Sequence, residues 1–251
     1  MSDAVTSDAI PTLRVDVWSD VVCPWCYIGK RRFERDAAEL AGEIDLDVTF
    51  RPYQLDPTAS PGTSGPVFDA YARKFGGPDQ ARMIIDRVTE TAAGEGLGFR
   101  MDRALRANTL LAHRLLWWAE QPGTPLDQIE LKERLLRAYF VDGLDIGLPD
   151  SLADCAAELG ADRDDVLAFL ESDAGRNEVA ASLEQAADRG ISAVPTYVVE
   201  GQWAIPGAQD TDTFVNVFRR LADKLRAEQA VDDAGGSTAA GDACEDDVCD
   251  T

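Results

Sequence analysis

The chain has 251 residues, 45% of them hydrophobic, which is enough for a sizeable core in one or two domains. Its formal charge of −22 argues against nucleic acid and against an anionic membrane surface as partners. With no run of about 18 apolar residues, no membrane span is expected. Residues 1–11 (MSDAVTSDAIP) have neither the basic nor the apolar region of a secretory leader, so the expected compartment is the cytoplasm.

Residues 1–12 read as a loose arm. From Leu13 to Trp18, apolar Leu13, Val15 and Val17 alternate with Arg14, Asp16 and Trp18, the pattern of a half-buried strand. After the loop Ser19-Asp20-Val21-Val22, residues 24–41 read as a helix ending at Gly42. Leu46, Val48 and Phe50 then alternate as a second strand that stops before Pro52. Strand, helix, strand at this spacing predicts a parallel pair.

Residues 57–66 (PTASPGTSGP) form a turn-rich break. Helical periodicity follows for more than a hundred residues. Its stripes are Phe68, Tyr71 and Phe75; Met83, Ile84 and Val88; Leu110, Leu111, Leu115 and Trp118; then Leu131, Leu135 and Tyr139. Ser151 is the expected cap of a helix facing Leu152, Cys155 and Leu159 inward. Val179, Leu183 and Ala186 mark a last long helix ending at Gly190. Pro195 to Val199 and Gln202 to Ile205, turning at Gly201, read as a hairpin. Asp212 to Arg226 reads as a final helix. Residues 232–243 (DDAGGSTAAGDA) have the composition of a flexible linker.

Chemistry concentrates at Cys23-Pro24-Trp25-Cys26. Two cysteines with two residues between them either close a disulfide or supply half a metal site. Zinc needs about four ligands, but the chain has one histidine, His113, and its other cysteines, Cys155, Cys244 and Cys249, are distant in sequence. A pair after a strand and at a helix start suits redox chemistry. Pro24 fits the first helical position, where its missing N–H is not needed. Cys23 then faces free N–H groups and the positive end of the helix dipole. This is expected to lower its pKa and make it the attacking sulfur, with Cys26 resolving.

The stretch Ser19-Asp20-x-x-Cys23-Pro24-Trp25-Cys26-Tyr27-Ile28-Gly29 is joined by Gly190-Ile191-Ser192-Ala193-Val194-Pro195-Thr196 and Ile205-Pro206-Gly207-Ala208-Gln209. Together they resemble the DsbA-like thioredoxin-fold family, and within it the FrnE-type subgroup. Phe140-Val-Asp-Gly-Leu-Asp-Ile resembles that subgroup too. The resemblance implies an α/β thioredoxin fold, a mixed sheet flanked by helices and interrupted by a large all-helical insertion. The implied halves of the fold are 13–64 and 190–229, the insertion is 65–189, and 230–251 is an acidic tail. It also implies a cis Val194–Pro195 bond beside the cysteines, with the backbone at Val194 pairing to an extended substrate. Kappa-class glutathione transferase and 2-hydroxychromene-2-carboxylate isomerase relatives resemble the chain but carry serine at the first motif position. Cysteine at both positions favours dithiol exchange.

The expected function is therefore thiol–disulfide exchange with a polypeptide or small-molecule disulfide or thiol. No organic cofactor and no metal are required, and glutathione is admitted as a substrate. A glutathione-dependent transferase or isomerase and a non-enzymatic holdase are the alternatives. Catalytic roles fall to Cys23 and Cys26, and substrate contacts to Trp25, Val194 and Pro195. Asp20 and His113 are candidates for the cleft, set against a turn-stabilising aspartate and a structural histidine. Cys155 lies on an apolar stripe and reads as a small buried hydrophobe. Cys244 and Cys249 have three open readings: an accessory redox pair, a weak metal site among Glu245, Asp246, Asp247 and Asp250, or an inert tail. Oligomeric state, monomer or homodimer, is not legible in the residues.

Overall fold

The structure, a computed structural model, describes residues 10–62, 64–210 and 212–236. Its centre is a four-stranded mixed sheet in the order β2-β1-β5-β6, formed by β1 (Thr12–Ser19), β2 (Asp45–Pro52), β5 (Thr196–Val199) and β6 (Trp203–Pro206). β1 runs parallel to β2, with Val15 opposite Val48, and antiparallel to β5, with Val17 opposite Tyr197. β5 and β6 are antiparallel. This is the thioredoxin arrangement, and a helical region is inserted between its two halves.

Helix α1 (Pro24–Glu39) connects β1 to β2, and α9 (Thr213–Gly236) follows β6. The two helices pack together through Phe33, whose ring meets Phe214 edge-on at 5.3 Å and stacks on Tyr197 at 5.3 Å. Leu13, Val15 and Val17 bury the same face of β1 beneath them, as their alternation predicts. On the opposite face, Trp18 is covered by Ala186, Ile191 and Val198, so β1 is enclosed on both sides near the site.

Between β2 and β5 the chain forms α2 (Val67–Phe75), α3 (Pro78–Gly94), α4 (Leu110–Ala119), α5 (Gln128–Arg137), α6 (Pro149–Ala157), α7 (Arg163–Glu171) and α8 (Arg176–Asp188). Two-residue strands β3 (Gly65–Pro66) and β4 (Leu105–Arg106) pair at the base of α2. A π-helical turn, Ala138–Asp142, continues α5 and ends at Gly143 with φ 72°. There a Cβ would lie 2.7 Å from the Arg103 side chain, so both conformation and space require glycine.

Several boundaries differ from those expected. α6 begins at Pro149 and contains Ser151, because proline fills the first helical position without losing a hydrogen bond. α7, unmarked by periodicity, is capped by the Asp162 carboxylate, which accepts from the N–H groups of Asp164 and Asp165. α9 runs to Gly236, into the stretch read as a linker. Met83, placed on an apolar stripe, is 63% exposed, while Val88 of the same stripe is buried.

α1 joins the two cores. Tyr27 and Ile28 in its first turns pack into the helical core, whereas Phe33 and Leu40 pack into the core of the sheet. The start of α1 therefore lies at the seam. The seam is fastened by Glu133 of α5, which accepts from Tyr27 Oη at 2.7 Å, Lys30 Nζ at 2.8 Å and an Arg31 Nη at 2.7 Å. On another side, Arg32 binds Glu95, the residue that caps the C-terminus of α3, at 2.6 Å and the Ala208 carbonyl at 3.1 Å.

Candidate active site

Cys23 is the N-cap of α1 and Pro24 its first helical residue. Cys26 donates its backbone N–H to the Cys23 carbonyl at 3.0 Å, so the two side chains stand one turn apart. Both are free thiols in the structure, and both are buried. Cys23 lines a cleft of about 1010 Å³ between the motif, α2, α3 and the loop before β5; Cys26 does not line it. Of the two sulfurs, the one that borders the cleft is thus that of Cys23.

The cleft's other wall near the sulfur is the loop before β5. The Val194–Pro195 bond is cis, and the Cys23 thiol donates to the Val194 carbonyl at 3.7 Å. Pro195 is buried against α1 at Gly29. A Cβ added at Gly29 would lie 2.9 Å from Tyr197 Oη and 3.0 Å from Pro195 Cγ. The glycine six residues after Cys23 thus lets the helix approach the proline loop closely. Trp25 is 37% exposed at the cleft edge. Tyr27 turns away from it, stacking on Phe99 at 5.8 Å.

The distribution of acidity differs from the expectation. Burial pushes the Cys23 thiol well above its usual value, and the hydrogen bond it shares with Cys26 adds to this. Burial also opposes ionisation of Cys26. There, however, the hydrogen bond from Cys23, the charge of Lys132 and the Asp20 backbone N–H together hold it below the usual thiol range. The helix start, one of whose N–H groups is missing at Pro24, does not outweigh the desolvation of Cys23. The proton shared by the coupled pair is therefore held more tightly by Cys23 than by Cys26.

Lys132 went unrecognised in the sequence. It is 1% exposed, and its ammonium has no hydrogen-bond partner among the described residues. It lies 5.4 Å from the centroid of the Phe50 ring. Burial pushes its pKa down to about 8, against the raising effect of Cys26, Asp20 and Cys23. Its helix is pinned to the outer edge of β2. Gln128 accepts from the Phe50 N–H at 2.8 Å and donates to the Phe50 carbonyl at 3.1 Å, as a neighbouring strand would. Lys132 is one turn beyond Gln128 and one turn before Leu136, on the buried face of α5. A lysine at that spacing, in a chain with few lysines, was the available signal.

Asp20 and His113 come together, but beneath the motif rather than in the cleft. Asp20 is fully buried. One carboxylate oxygen accepts from the Leu55 N–H at 2.8 Å, and the other is 3.2 Å from His113 Nε2. The same Nε2 is 3.0 Å from the Tyr53 carbonyl. Two acceptors on one nitrogen require that nitrogen to carry a proton. Neither residue lines the cleft, so the expected placement there is corrected: both oxygens of Asp20 and Nε2 of His113 are engaged beneath the motif. Cys155 is buried on α6, and burial pushes its thiol up to about 11. Cys244 and Cys249 lie outside the described residues.

No described helix is long and apolar enough to cross a membrane. The family model of the DSBA-like thioredoxin domain matches residues 14–219. A probable DsbA oxidoreductase from Streptomyces coelicolor is 30% identical, with a TM-score of 0.73 over 95% of this chain and 96% of that one. The uncharacterized protein YwbO of Bacillus subtilis (strain 168) is 29% identical over 205 residues, 81% of this chain and 94% of its own. The cytosolic disulfide reductase DsbM from Pseudomonas aeruginosa, solved with GSH, shares the fold at 19% identity and a TM-score of 0.55, over 86% of this chain and 99% of its own. With the motif at the start of α1, the proline loop beside it and helices roofing the cleft, this chain belongs to the DsbA-like thioredoxin family.

Proposed function

We propose that the protein is a thiol–disulfide oxidoreductase working through Cys23 and Cys26. The observation that carries this reading is the pair of free thiols one turn apart, only one of which lines the cleft. In the reducing direction, a substrate backbone N–H takes the Val194 carbonyl from the Cys23 thiol, and the shared proton moves to Cys26. The Cys23 thiolate attacks one sulfur of the substrate disulfide, and the other sulfur leaves as a thiolate. Cys26 then gives its proton to the departing substrate thiolate and, as a thiolate beside Lys132, attacks the Cys23 sulfur and expels the remaining substrate thiolate. The enzyme is left with a Cys23–Cys26 disulfide, having given up two electrons, and an external thiol reductant restores it.

The electrons reside on sulfur throughout, so the reaction needs no organic cofactor. Polypeptide disulfides, small disulfides and glutathione are all admissible substrates. A lone buried thiol at Cys155 and few cysteines suit a reducing cytoplasm. We also propose that Cys244 and Cys249 exchange with the active pair. With α9 reaching Gly236, the stretch before Cys244 spans only on the order of 15 Å if unstructured. The test of the main reading is insulin reduction by dithiothreitol. Wild type accelerates it and Cys23→Ser does not. Equal acceleration by Cys23→Ser would remove the basis for dithiol exchange and favour glutathione-dependent chemistry that tolerates serine.

A further inference from the structure

The chain carries 46 acidic and 24 basic residues, yet the cleft beside Cys23 inverts that ratio. Arg73 and Lys74 of α2, Arg87 of α3 and Arg106 of β4 line it, against one carboxylate, Asp56. Asp56 is already committed to Arg106 at 2.7 Å. Arg73, Lys74 and Arg87 make no ion pair among the described residues, although fifteen of the other lysines and arginines do. The carboxylates carried by the same two helices, Asp69, Asp79, Asp86 and Glu90, do not line the cleft.

Two of these cations have a local explanation. Arg73 and Lys74 stand in the last turn of α2, where positive charge complements the helix dipole. Arg87 stands mid-helix in α3 and has no such role. Between the cations the wall is apolar: Val67, Tyr71, Ile84 and Val88, with Phe75 41% exposed and Trp25 37% exposed at the sulfur. An apolar trough ringed by unpaired cations fits a chain with carboxylates on either side of an apolar segment.

We propose that the cleft selects acidic polypeptide disulfides, with aspartate or glutamate flanking the reacting cysteine and an apolar side chain against α2 and α3. This rests on the oxidoreductase reading and adds the substrate class to it. The enzyme's own net charge repels such chains at long range. The local cations reverse that sign at the one place where the sulfur is reached, and they act on the encounter more than on the sulfur chemistry.

The test compares two disulfide-linked peptides that differ only in whether glutamate or lysine flanks the cysteine. Both are reduced by dithiothreitol with full-length enzyme at low ionic strength. Wild type is expected to show a kcat/KM about fivefold or more higher for the glutamate peptide, the scale of a few exposed ion pairs. The preference should shrink as salt rises. Arg87→Glu should reduce it about threefold or more. Arg220→Glu, an equal charge change at an exposed α9 residue that does not line the cleft, should leave it in place. Equal kcat/KM for the two peptides in wild type, or equal effects of the two substitutions, overturns the proposal. Bis(2-hydroxyethyl) disulfide, which is uncharged, separates the two levels of failure. If wild type turns it over without preferring acidic peptides, only the substrate class is wrong. If wild type turns over neither it nor the peptides, the oxidoreductase reading falls and the proposal falls with it.

Discussion

Replacing Lys132 by methionine keeps the length and volume of the side chain and removes a buried cation whose charge acts on both sulfurs. Among the described residues Lys132 makes no side-chain hydrogen bond that the substitution would break. Its influence on the site is therefore mainly electrostatic. An opposite charge next to an ionisable group shifts its pKa by about 1–3 units, so the first thiol ionisation of the reduced pair is expected to rise by about one to two units. Each unit is worth about 1.4 kcal/mol, or about 30 mV for a two-electron couple. The direction follows from two effects of the same sign. The reduced form loses the cation that stabilises its thiolate. The oxidised form loses a buried charge that Asp20 offsets only in part. Lys132→Met is thus expected to lower the reduction potential by about 30–60 mV, making the protein a stronger reductant. Equilibration against glutathione gives the potential, and thiolate absorbance against pH gives the ionisation. An unchanged potential together with an unchanged thiol titration would refute the role given to Lys132.

The same lysine fixes a pH dependence. Its folded pKa, about 8, is below its usual 10.5. Between those values the unfolded chain holds the extra proton, so stability rises with pH across that window. Oxidised Lys132→Met should lack this rise and should be more stable than oxidised wild type at pH 7, by about 1–3 kcal/mol, as read by denaturant unfolding. Gly29→Ala forces a methyl group against Pro195 and Tyr197; a loss of about 1–3 kcal/mol is expected, with reduced insulin turnover, and wild-type values for both would show that the close approach does not matter. His113→Ala leaves one oxygen of buried Asp20 without its partner, at a cost of about 1–3 kcal/mol in the unfolding midpoint. The Glu133 carboxyl is held low: burial opposes this, but Lys30, Tyr27 and Arg31 outweigh it. Its stabilising contribution is present above the usual carboxylate value and is lost as pH falls through the folded one. The acid side of the thermal stability profile should therefore be shallower in Glu133→Gln.

Much of this arrangement was legible in the residues because it rests on local rules. Alternation placed β1 and β2, Pro24 set the start of α1, and two cysteines after a strand marked the candidate site. The paired Val-Pro far downstream identified the loop that faces them through family resemblance; local physics alone would not have done so. What escaped depends on contacts distant in the chain. Lys132 is 106 residues from Cys26, and only packing of α5 on the edge of β2 through Gln128 brings it under the site. The acidity expected of Cys23 came from helix geometry, which ignores how deeply the sulfur is buried. Asp20 and His113 were named individually, but their pairing, 3.2 Å apart beneath the motif, requires α4 to dock on the loop after β1. The cations of the cleft carried no signal at all in a chain with so many charges.

The account depends most on Cys23 being the sulfur that meets substrate while Cys26 resolves. Full-length Cys26→Ser, mixed with a disulfide substrate and analysed by peptide mass mapping, tests this most directly. The predicted result is a stable mixed disulfide on Cys23, with Cys155 unmodified; adducts joining Cys23 to Cys244 or Cys249 would in addition support exchange with the tail. An adduct found elsewhere with Cys23 still free, or no adduct while the variant still reduces insulin, would contradict it.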